Sequence, residues 1–333
     1  MEYRELGRSG LRTSAIGLGC MGMSHAYGAP ADKKEMTDLL AVAVDMGYNF
    51  FDTAEVYGTD ECPHDNEELL GNALKPYRDK VVIASKCGIS FVPTDGHGAH
   101  NLVTDASPEA IRHAVEGSLR RLQTDHIDLY YQHRIDTKVA PEVVADTMAT
   151  LIKEGKIIHW GISEATEDYL RKAHAVCPVA AIQNRYSLMA RWHESLFPML
   201  EELGVGFVAF SPLANGLLSN QYSPAMTLDK KTDIRAVMPQ FQAESFKQNE
   251  ALLTYLNQLA ETHHATSSQI ALAWMLGKKP WIVPIPGTRK LSRLKENAGA
   301  VDIHLSAEEV EQIDQALLNM PMSEVFGGSK IVK

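Results

Sequence analysis

Short β-rich runs alternate with amphipathic helical segments eight times along this chain of 333 residues. Repeated strand–helix units form a parallel sheet, because each helix returns the chain to the same end of the sheet. Eight such units favour closure into a (β/α)8 barrel, the TIM-barrel fold, although an open, doubly wound sheet is the alternative that the same pattern leaves. The predicted strands are Ala15–Leu18, Asn49–Asp52, Val81–Lys86, Ile127–His133, Ile157–Ser163, Ala181–Asn184, Gly206–Phe210 and Ile282–Ile285.

Segments outside the repeating units complete the predicted architecture. Tyr3–Leu6 and Leu11–Thr13 form a β-hairpin lid at the start, and polar Ala214–Ser245 is a long loop after the seventh strand. An extra C-terminal helix begins at the capping box of Ser306 and Glu309. No low-complexity linker interrupts the chain, so residues 1–333 are predicted to form one domain. The other predicted helices are Asp32–Asp45, Asn66–Leu74, one beginning at Ser107, Val143–Glu154, Glu167–Ala175, Ser195–Leu203, Glu250–Thr262, Ser267–Leu276 and Lys290–Ala298.

Charge and cysteine content narrow the class of protein. A formal net charge of -10 argues against a nucleic-acid or anionic-membrane surface, because both require a basic face. The first residues lack the apolar core of a secretory signal, and no apolar run is long enough for a membrane helix. The four cysteines lie far apart without a Cys-x-x-Cys pair. These features predict a cytoplasmic protein without disulfides or a metal. A monomer or a small homo-oligomer is expected only because barrels of this kind are often monomers or dimers.

One glycine-rich motif invites a different interpretation. Gly17–Gly22 matches G-x-G-x-x-G and follows a predicted strand. A dinucleotide fingerprint requires a helix to begin at that point, whereas Gly28 and Pro30 follow here and the helix begins later. The motif is therefore interpreted as a strand-to-loop turn. No Tyr-x-x-x-Lys sequence occurs, which disfavours a short-chain dehydrogenase.

The carboxyl ends of the predicted strands carry a compact set of reactive side chains, and this is where barrels place their chemistry. Asp52 and Lys86 end the second and third strands, His133 ends the fourth, and Tyr57 lies in the loop after Asp52. A buried lysine needs a partner, which Asp52 on the adjacent strand provides, and a structural ion pair would explain these two residues alone. With Tyr57 and His133 the set also suits proton transfer. A nearby ammonium stabilises a phenolate and brings the tyrosine pKa, ordinarily about 10, towards the neutral range.

These residues belong to a longer series of motifs, and with them the chain resembles the aldo-keto reductase superfamily over nearly its whole length. The resemblance implies NADPH-dependent reduction of an aldehyde or ketone, with Asp52, Tyr57, Lys86 and His133 as the catalytic residues and Tyr57 as the general acid. The motifs are Phe51-Asp52-Thr53-Ala54 with Tyr57-Gly58, Ser85-Lys86, Ile127 to His133, Glu154-Gly155-Lys156, Gly161-Ile162-Ser163, Gln183-Asn184, Phe210-Ser211-Pro212-Leu213 and Ile285-Pro286-Gly287-Thr288-Arg289.

The resemblance also implies which residues hold the cofactor. Ser163 and Gln183 would hold the nicotinamide carboxamide, and Phe210 would stack on the ring. Many relatives have Asn after the serine, but this chain has Glu164, whose carboxylate cannot donate a hydrogen bond, so Asn184 is the candidate substitute. The predicted cofactor set is Ser163, Gln183, Asn184, Phe210, Ser211, Leu213, Gly287, Thr288, Arg289, Arg293, Glu296 and Asn297.

The last of these residues are implied to hold the adenosine 2′-phosphate. They follow a glycine turn before a helix, and a helix N-terminus favours an anion. Arg289 and Arg293 are four residues apart on one predicted helical face and would grip a phosphate in forks. A solvated basic face would explain the same two residues.

Two other functions stay open beside the reductase. A cofactor-binding regulatory subunit with little turnover is one, because channel-associated relatives keep the same four residues. A metal-dependent barrel hydrolase is disfavoured, because the strand ends supply no cluster of metal ligands. Cys87, beside Lys86, is interpreted as a small buried residue in preference to a redox switch.

Overall fold

The computed structural model describes residues 1–93 and 100–326. The strands in these residues are β1 Tyr3–Glu5, β2 Arg12–Ser14, β3 Leu18–Gly19, β4 Phe50–Asp52, β5 Val82–Cys87, β6 Ile89–Pro93, β7 His100–Thr104, β8 Ile127–Gln132, β9 Ile157–Ser163, β10 Ala181–Arg185, β11 Gly206–Phe210 and β12 Ile282–Pro284. The helices are α1 Lys33–Asp45, α2 Asp65–Leu74, α3 Pro108–Leu122, α4 Pro141–Lys153, α5 Glu167–Val176, α6 Phe197–Leu203, α7 Ala243–Gln248, α8 Glu250–Thr262, α9 Ser267–Lys278, α10 Leu291–Ala298 and α11 Ala307–Leu318.

Eight of these strands form one parallel barrel. Their order around the sheet is β3, β4, β5, β8, β9, β10, β11 and β12, which is also their order along the chain. A doubly wound sheet would reverse its strand order at a switch point, so this arrangement confirms the predicted barrel. Because all eight strands run in the same direction, their carboxyl ends meet at one mouth.

The barrel closes between its first and last strands through glycines of the G-x-G-x-x-G motif. Gly17 N donates to the Pro284 carbonyl at 2.9 Å, and Gly19 pairs with Gly287 in a parallel bridge. A Cβ atom on Gly19 would lie 2.7 Å from the Ile285 carbonyl oxygen, which is too close for any side chain. The motif therefore serves the seam of the barrel, and α1 begins well after it.

The predicted N-terminal hairpin is present, with β1 and β2 paired antiparallel. It crosses the amino-terminal end of the barrel, where Arg8 N donates to the Gly204 carbonyl at 2.8 Å, just before β11. Leu6 and Leu11 are buried and pack among interior side chains such as Phe50. The hairpin thus seals the end of the barrel opposite the mouth and does not cover the reactive residues.

A second hairpin, which the sequence analysis did not predict, follows directly on β5. β6 and β7 pair antiparallel from Ile89 and Thr104 outwards. The two strands are short, and polar residues such as Ser90 and Asn101 interrupt any apolar repeat. This hairpin extends from the carboxyl end of β5 and borders the mouth.

The segment predicted as a long loop, Ala214–Ser245, contains several short turns. The 3-10 turns are Ala214–Ser219, Ile234–Val237 and Pro239–Phe241, and α7 begins before the segment ends. Two backbone hydrogen bonds of 2.9 Å attach the segment to the loop after β3: Gly28 N donates to the Thr232 carbonyl, and Ile234 N donates to the Ala26 carbonyl. The segment therefore lies at the mouth, as predicted.

The helices follow the prediction, with shifts at their ends. The C-terminal capping box is confirmed: Ser306 Oγ accepts from Glu309 N at 3.2 Å, and Ser306 N donates to Glu309 Oε2 at 2.7 Å. The helix expected to begin at Lys290 begins one residue later, as α10. In the residues that the structure describes, no helix is long and apolar enough to cross a membrane.

Candidate active site

Three neighbouring strands bring the four predicted catalytic residues to the mouth. β4, β5 and β8 are adjacent in the barrel. Asp52 ends β4, Lys86 lies near the end of β5, and His133 follows β8 directly. Tyr57 enters from the loop after β4 and is 8% exposed. The structure therefore places all four side chains at one end of the barrel, as the strand ends predict.

Lys86 and Asp52 form a buried ion pair. Lys86 Nζ donates to Asp52 Oδ1 at 2.5 Å and to the Thr53 carbonyl at 2.7 Å. The other carboxylate oxygen, Asp52 Oδ2, accepts from Gln183 Nε2 at 2.7 Å. Burial lowers the pKa of Lys86, but the Asp52 carboxylate and the Tyr57 side chain together more than offset this effect, so the net shift is upward. The lysine is therefore a fixed positive charge at neutral pH.

The Lys86 ammonium lies beside the Tyr57 ring, with Nζ 5.0 Å from the ring centroid. Burial raises the pKa of Tyr57, and the Lys86 charge opposes this effect without cancelling it. The predicted shift of the Tyr57 pKa towards neutrality is therefore absent. The prediction was wrong because the sequence shows the neighbouring charge but not the extent of burial. Tyr57 keeps its proton at neutral pH, which is the form that a proton donor requires.

His133 meets Tyr57 edge-on, with ring centroids 5.7 Å apart and planes at 82°. Burial, followed by the charges of Arg134 and Lys86, holds the pKa of His133 well below its usual value. The imidazole is therefore neutral at physiological pH and suited to donating a hydrogen bond. Its Nδ1 atom is buried without a hydrogen-bond partner among the described residues.

His25, which the sequence analysis did not single out, also contacts Tyr57. Its ring stacks on the Tyr57 ring at 5.8 Å and 18°, and on the Phe91 ring at 5.6 Å and 22°. Its Nδ1–H donates to the Gly58 carbonyl at 2.6 Å. A histidine in the loop after the first barrel strand is the available sequence signal, but a loop position does not reveal which ring it will meet.

Ser163 and Gln183 are register partners on β9 and β10, and both are buried. Ser163 Oγ accepts from Arg134 Nη1 at 3.2 Å.

The side chain of Asn184 does not lie beside those of Ser163 and Gln183, where the predicted cofactor set requires it. Its Oδ1 accepts from Ala165 N at 3.0 Å and its Nδ2 donates to the Ala165 carbonyl at 3.2 Å, so it holds the loop after β9. Successive strand residues face opposite sides of a sheet, which separates Asn184 from Gln183.

Phe210 ends β11 at the same mouth. The Arg185 guanidinium covers one face of its ring at 4.9 Å. Ser211 has a left-handed backbone with φ 51°, and its Oγ accepts from Asn215 Nδ2 at 3.3 Å. Leu213 packs against the core beside these residues. The predicted ring-stacking residue is therefore at the mouth, with one face already occupied by a cation.

The segment after β12 differs from the prediction in one respect. Arg289 precedes α10, so Arg289 and Arg293 do not share a helical face. Arg289 donates to the Ala29 carbonyl at 2.7 Å and also to the Tyr27 carbonyl.

The rest of this segment is also engaged within the chain. Arg293 pairs with Glu296, and Thr288 Oγ1 accepts from Lys290 N at 3.0 Å. Asn297 is buried, and Gly287 belongs to the barrel seam. A phosphate here would have to compete with these internal partners.

Comparisons with known proteins agree with this arrangement. Residues 15–318 match the aldo/keto reductase family. The chain is 38% identical to a probable aldo-keto reductase 1 of Glycine max over 326 aligned residues. The alignment covers 97% of this chain and 90% of that protein. Its fold is similar to that of a glycerol dehydrogenase from Gluconobacter oxydans, with a TM-score of 0.85 and 27% identity over 98% of both chains. An aldo-keto reductase from Bacillus halodurans, solved in its holo form, has a TM-score of 0.77 and 27% identity over 98% of both chains. The chain therefore belongs to the aldo/keto reductase family and is an oxidoreductase of small carbonyl compounds.

Proposed function

We propose that the protein reduces an aldehyde or ketone to an alcohol with NADPH, using Tyr57 as the general acid. The observation that carries this proposal is the buried Lys86–Asp52 pair beside a protonated tyrosine, at the mouth of a barrel. Buried ion pairs rarely add net stability, so their position beside a proton donor favours a chemical role.

Each residue has a role in proton delivery. Tyr57 donates its phenolic proton to the carbonyl oxygen as negative charge develops there. Lys86 stabilises the resulting phenolate, and Asp52 holds the ammonium in place through its 2.5 Å hydrogen bond. The neutral His133 donates a hydrogen bond to the same oxygen and orients the carbonyl. When bound, the reduced nicotinamide supplies the hydride for the carbonyl carbon.

The donor groups at the mouth suit a nicotinamide nucleotide. Ser163 offers a hydroxyl and Gln183 an amide to the carboxamide, and Phe210 offers an aromatic face to the ring. Ser211 and Leu213 border this position. Arg289, just before α10, and Arg293, in its first turn, would supply the positive charge for a 2′-phosphate, which favours NADPH over NADH.

Turnover of a simple aromatic aldehyde tests the proposal. Purified protein should consume NADPH in proportion to the alcohol formed. NADPH should not be consumed when either the aldehyde or the protein is left out. Tight NADPH binding without turnover across a panel of aldehydes and ketones would instead support a cofactor-binding regulatory subunit.

We further propose that the protein works in the reducing cytoplasm as a monomer or small homo-oligomer. The four cysteines are all free, and Cys20, Cys87 and Cys177 are buried. Burial raises the pKa of the Cys87 thiol well above its usual value, which makes it unreactive and supports a packing role.

A further inference from the structure

Arg134 is a basic residue at the mouth that the reaction described above leaves unused. It follows His133 directly, and its Nη1 donates to the His133 carbonyl at 2.6 Å and to Ser163 Oγ at 3.2 Å. In the described part of the chain, its guanidinium forms no ion pair with a carboxylate. Its other nitrogens therefore keep their donor capacity.

The contact between Arg134 and Ser163 sets the direction of the serine hydroxyl. Because Ser163 Oγ accepts from the guanidinium, its own proton is free to donate elsewhere. Both groups are then donors at one position of the mouth. A carbonyl oxygen has two lone pairs and can accept from both donors at once.

Glu164, the residue after Ser163, supplies no such donor. Its backbone is left-handed, with φ 56°, and its Oε1 accepts from Arg185 N at 3.3 Å. Asn184 is engaged with Ala165 and does not replace it. Arg134 therefore provides, beside Ser163, the hydrogen-bond donor that neither Glu164 nor Asn184 provides.

We propose that Arg134 and Ser163 together donate hydrogen bonds to the carboxamide oxygen of the nicotinamide, and so fix the orientation of the ring. This inference rests on the proposed NADPH-dependent function. It assigns Arg134 to the cofactor and not to an anionic group of the substrate.

Binding of the cofactor and of a fragment of it tests the assignment. Calorimetric titration compares NADPH with 2′-phospho-ADP-ribose, which lacks the nicotinamide. Arg134→Met should weaken NADPH binding by about tenfold or more, as expected for loss of a hydrogen bond from a charged donor. Binding of the fragment should be unchanged. Arg134→Lys keeps a charged donor and should retain part of the affinity.

Arg112→Met is the matched control. Arg112 pairs with Glu154 at 3.0 Å on the outer helices, and its side chain is 41% exposed. This variant should bind both ligands like the wild type. Thermal unfolding of all variants establishes that they are folded, and Arg134→Lys serves as the test if Arg134→Met does not fold.

Several outcomes would overturn the assignment. Equal loss of affinity for both ligands would show that Arg134 only supports the local structure, and unchanged NADPH binding would show that it does not touch the cofactor. If only the KM of a carboxylate-bearing aldehyde rises, with neutral aldehydes unaffected, Arg134 is a substrate anion site. Wild-type protein that binds the fragment but not NADPH would contradict the carboxamide contact, whereas binding of neither would overturn the proposed function itself.

Discussion

Lys86 shows how a single residue constrains the chemistry of the site. Its side chain is 1% exposed, so it is held among fixed partners, of which the Asp52 carboxylate and the Thr53 carbonyl accept its hydrogen bonds. Pairing of strand ends was enough to predict this contact. A charge at the end of a hydrophobic strand has few possible partners, and the adjacent strand supplied one.

Replacement of Lys86 separates a catalytic ion pair from a structural one. Lys86→Met leaves Asp52 buried without its partner, which typically costs about 3–5 kcal/mol of unfolding free energy. We also expect a large fall in kcat, because the phenolate of Tyr57 loses its stabilising charge. Steady-state kinetics and denaturant unfolding measure the two effects.

The matched control is Lys278→Met, which breaks a partly buried pair with Asp314 between outer helices. It should lose stability but keep normal kcat. Near-normal turnover of Lys86→Met would identify its ion pair as purely structural.

Glu55 is a partly buried ionisable residue near the site. It lies between Asp52 and Tyr57 in the chain, and its Oε1 accepts from Gly88 N at 3.1 Å. Burial, followed by the charge of Glu67, raises the pKa of Glu55 from 4.5 to about 7. The folded protein therefore holds this proton at pH values where the unfolded chain has released it.

This shift predicts a pH-dependent stability. The stabilisation is fully present below the unfolded pKa of 4.5 and is lost as the pH rises through about 7. Glu55→Gln mimics the protonated carboxyl at every pH. The melting temperature of wild type should therefore fall relative to this variant across that window, and parallel melting curves would contradict the shift.

His25 and Arg134 show the limit of residue-level prediction. Each lies in a loop directly after a barrel strand, where the sequence gives proximity to the mouth but no direction for the side chain. The stacking of His25 on Tyr57 and the contact of Arg134 with Ser163 depend on loop conformations that no periodicity encodes. The same limit explains Asn184, whose strand position was predicted but whose outward orientation was not.

Among the elements, the segment Ala214–Ser245 is the one for which we predict a part in cofactor binding. Its hydrogen bonds to residues 26–28 connect two loops across the mouth. Arg235 strengthens this contact by pairing with Asp233 at 2.5 Å and stacking on Tyr27 at 5.0 Å. The short turns lack an amphipathic repeat, which is why the sequence predicted only a loop.

We expect this segment to act as a lid over the cofactor. Hydrogen exchange with and without NADPH should show new backbone protection in residues 214–245, because a bound ligand stabilises the closed loops. The β1–β2 hairpin at the opposite end of the barrel provides the internal control and should not change. Unaltered exchange in the segment, with clear protection elsewhere at the mouth, would exclude a lid.

The α10 region makes a separate prediction about cofactor choice. Arg289→Ala should weaken NADPH binding about ten- to a hundredfold and NADH binding much less, because a charged contact to the 2′-phosphate is lost. Fluorescence titration with both cofactors measures the difference. Lys295→Ala removes an exposed cation from α10, the helix that follows Arg289, and should leave both affinities intact. Equal effects of Arg289→Ala on the two cofactors would mean that Arg289 only anchors the loop at Tyr27 and Ala29.

At the scale of the whole molecule, the eight-fold alternation favoured the barrel over a doubly wound sheet and predicted the end that carries the reactive residues. Each crossover returns the chain in the same direction, so strand ends distant in sequence converge. Closure also requires the close approach of Gly19 to Gly287, which leaves no space for a side chain at Gly19. The glycine motif includes Gly19, but the motif alone does not indicate which strand it will meet. Contacts between loops follow from packing after closure, and local patterns do not specify them.

Tyr57→Phe tests the central claim most directly, because it removes one hydroxyl and keeps the ring that contacts His25 and His133. NADPH-dependent reduction of an aromatic aldehyde is measured across neutral pH for wild type and variant, together with NADPH affinity and melting temperature. We expect kcat to fall by about 10²–10⁴-fold, the contribution of a positioned proton donor, while NADPH affinity and melting temperature hardly change. Residual activity with a pH profile displaced downward would indicate His133 as a weaker substitute acid. Reduction at close to the wild-type rate throughout that range would contradict the assignment of Tyr57 as the proton donor.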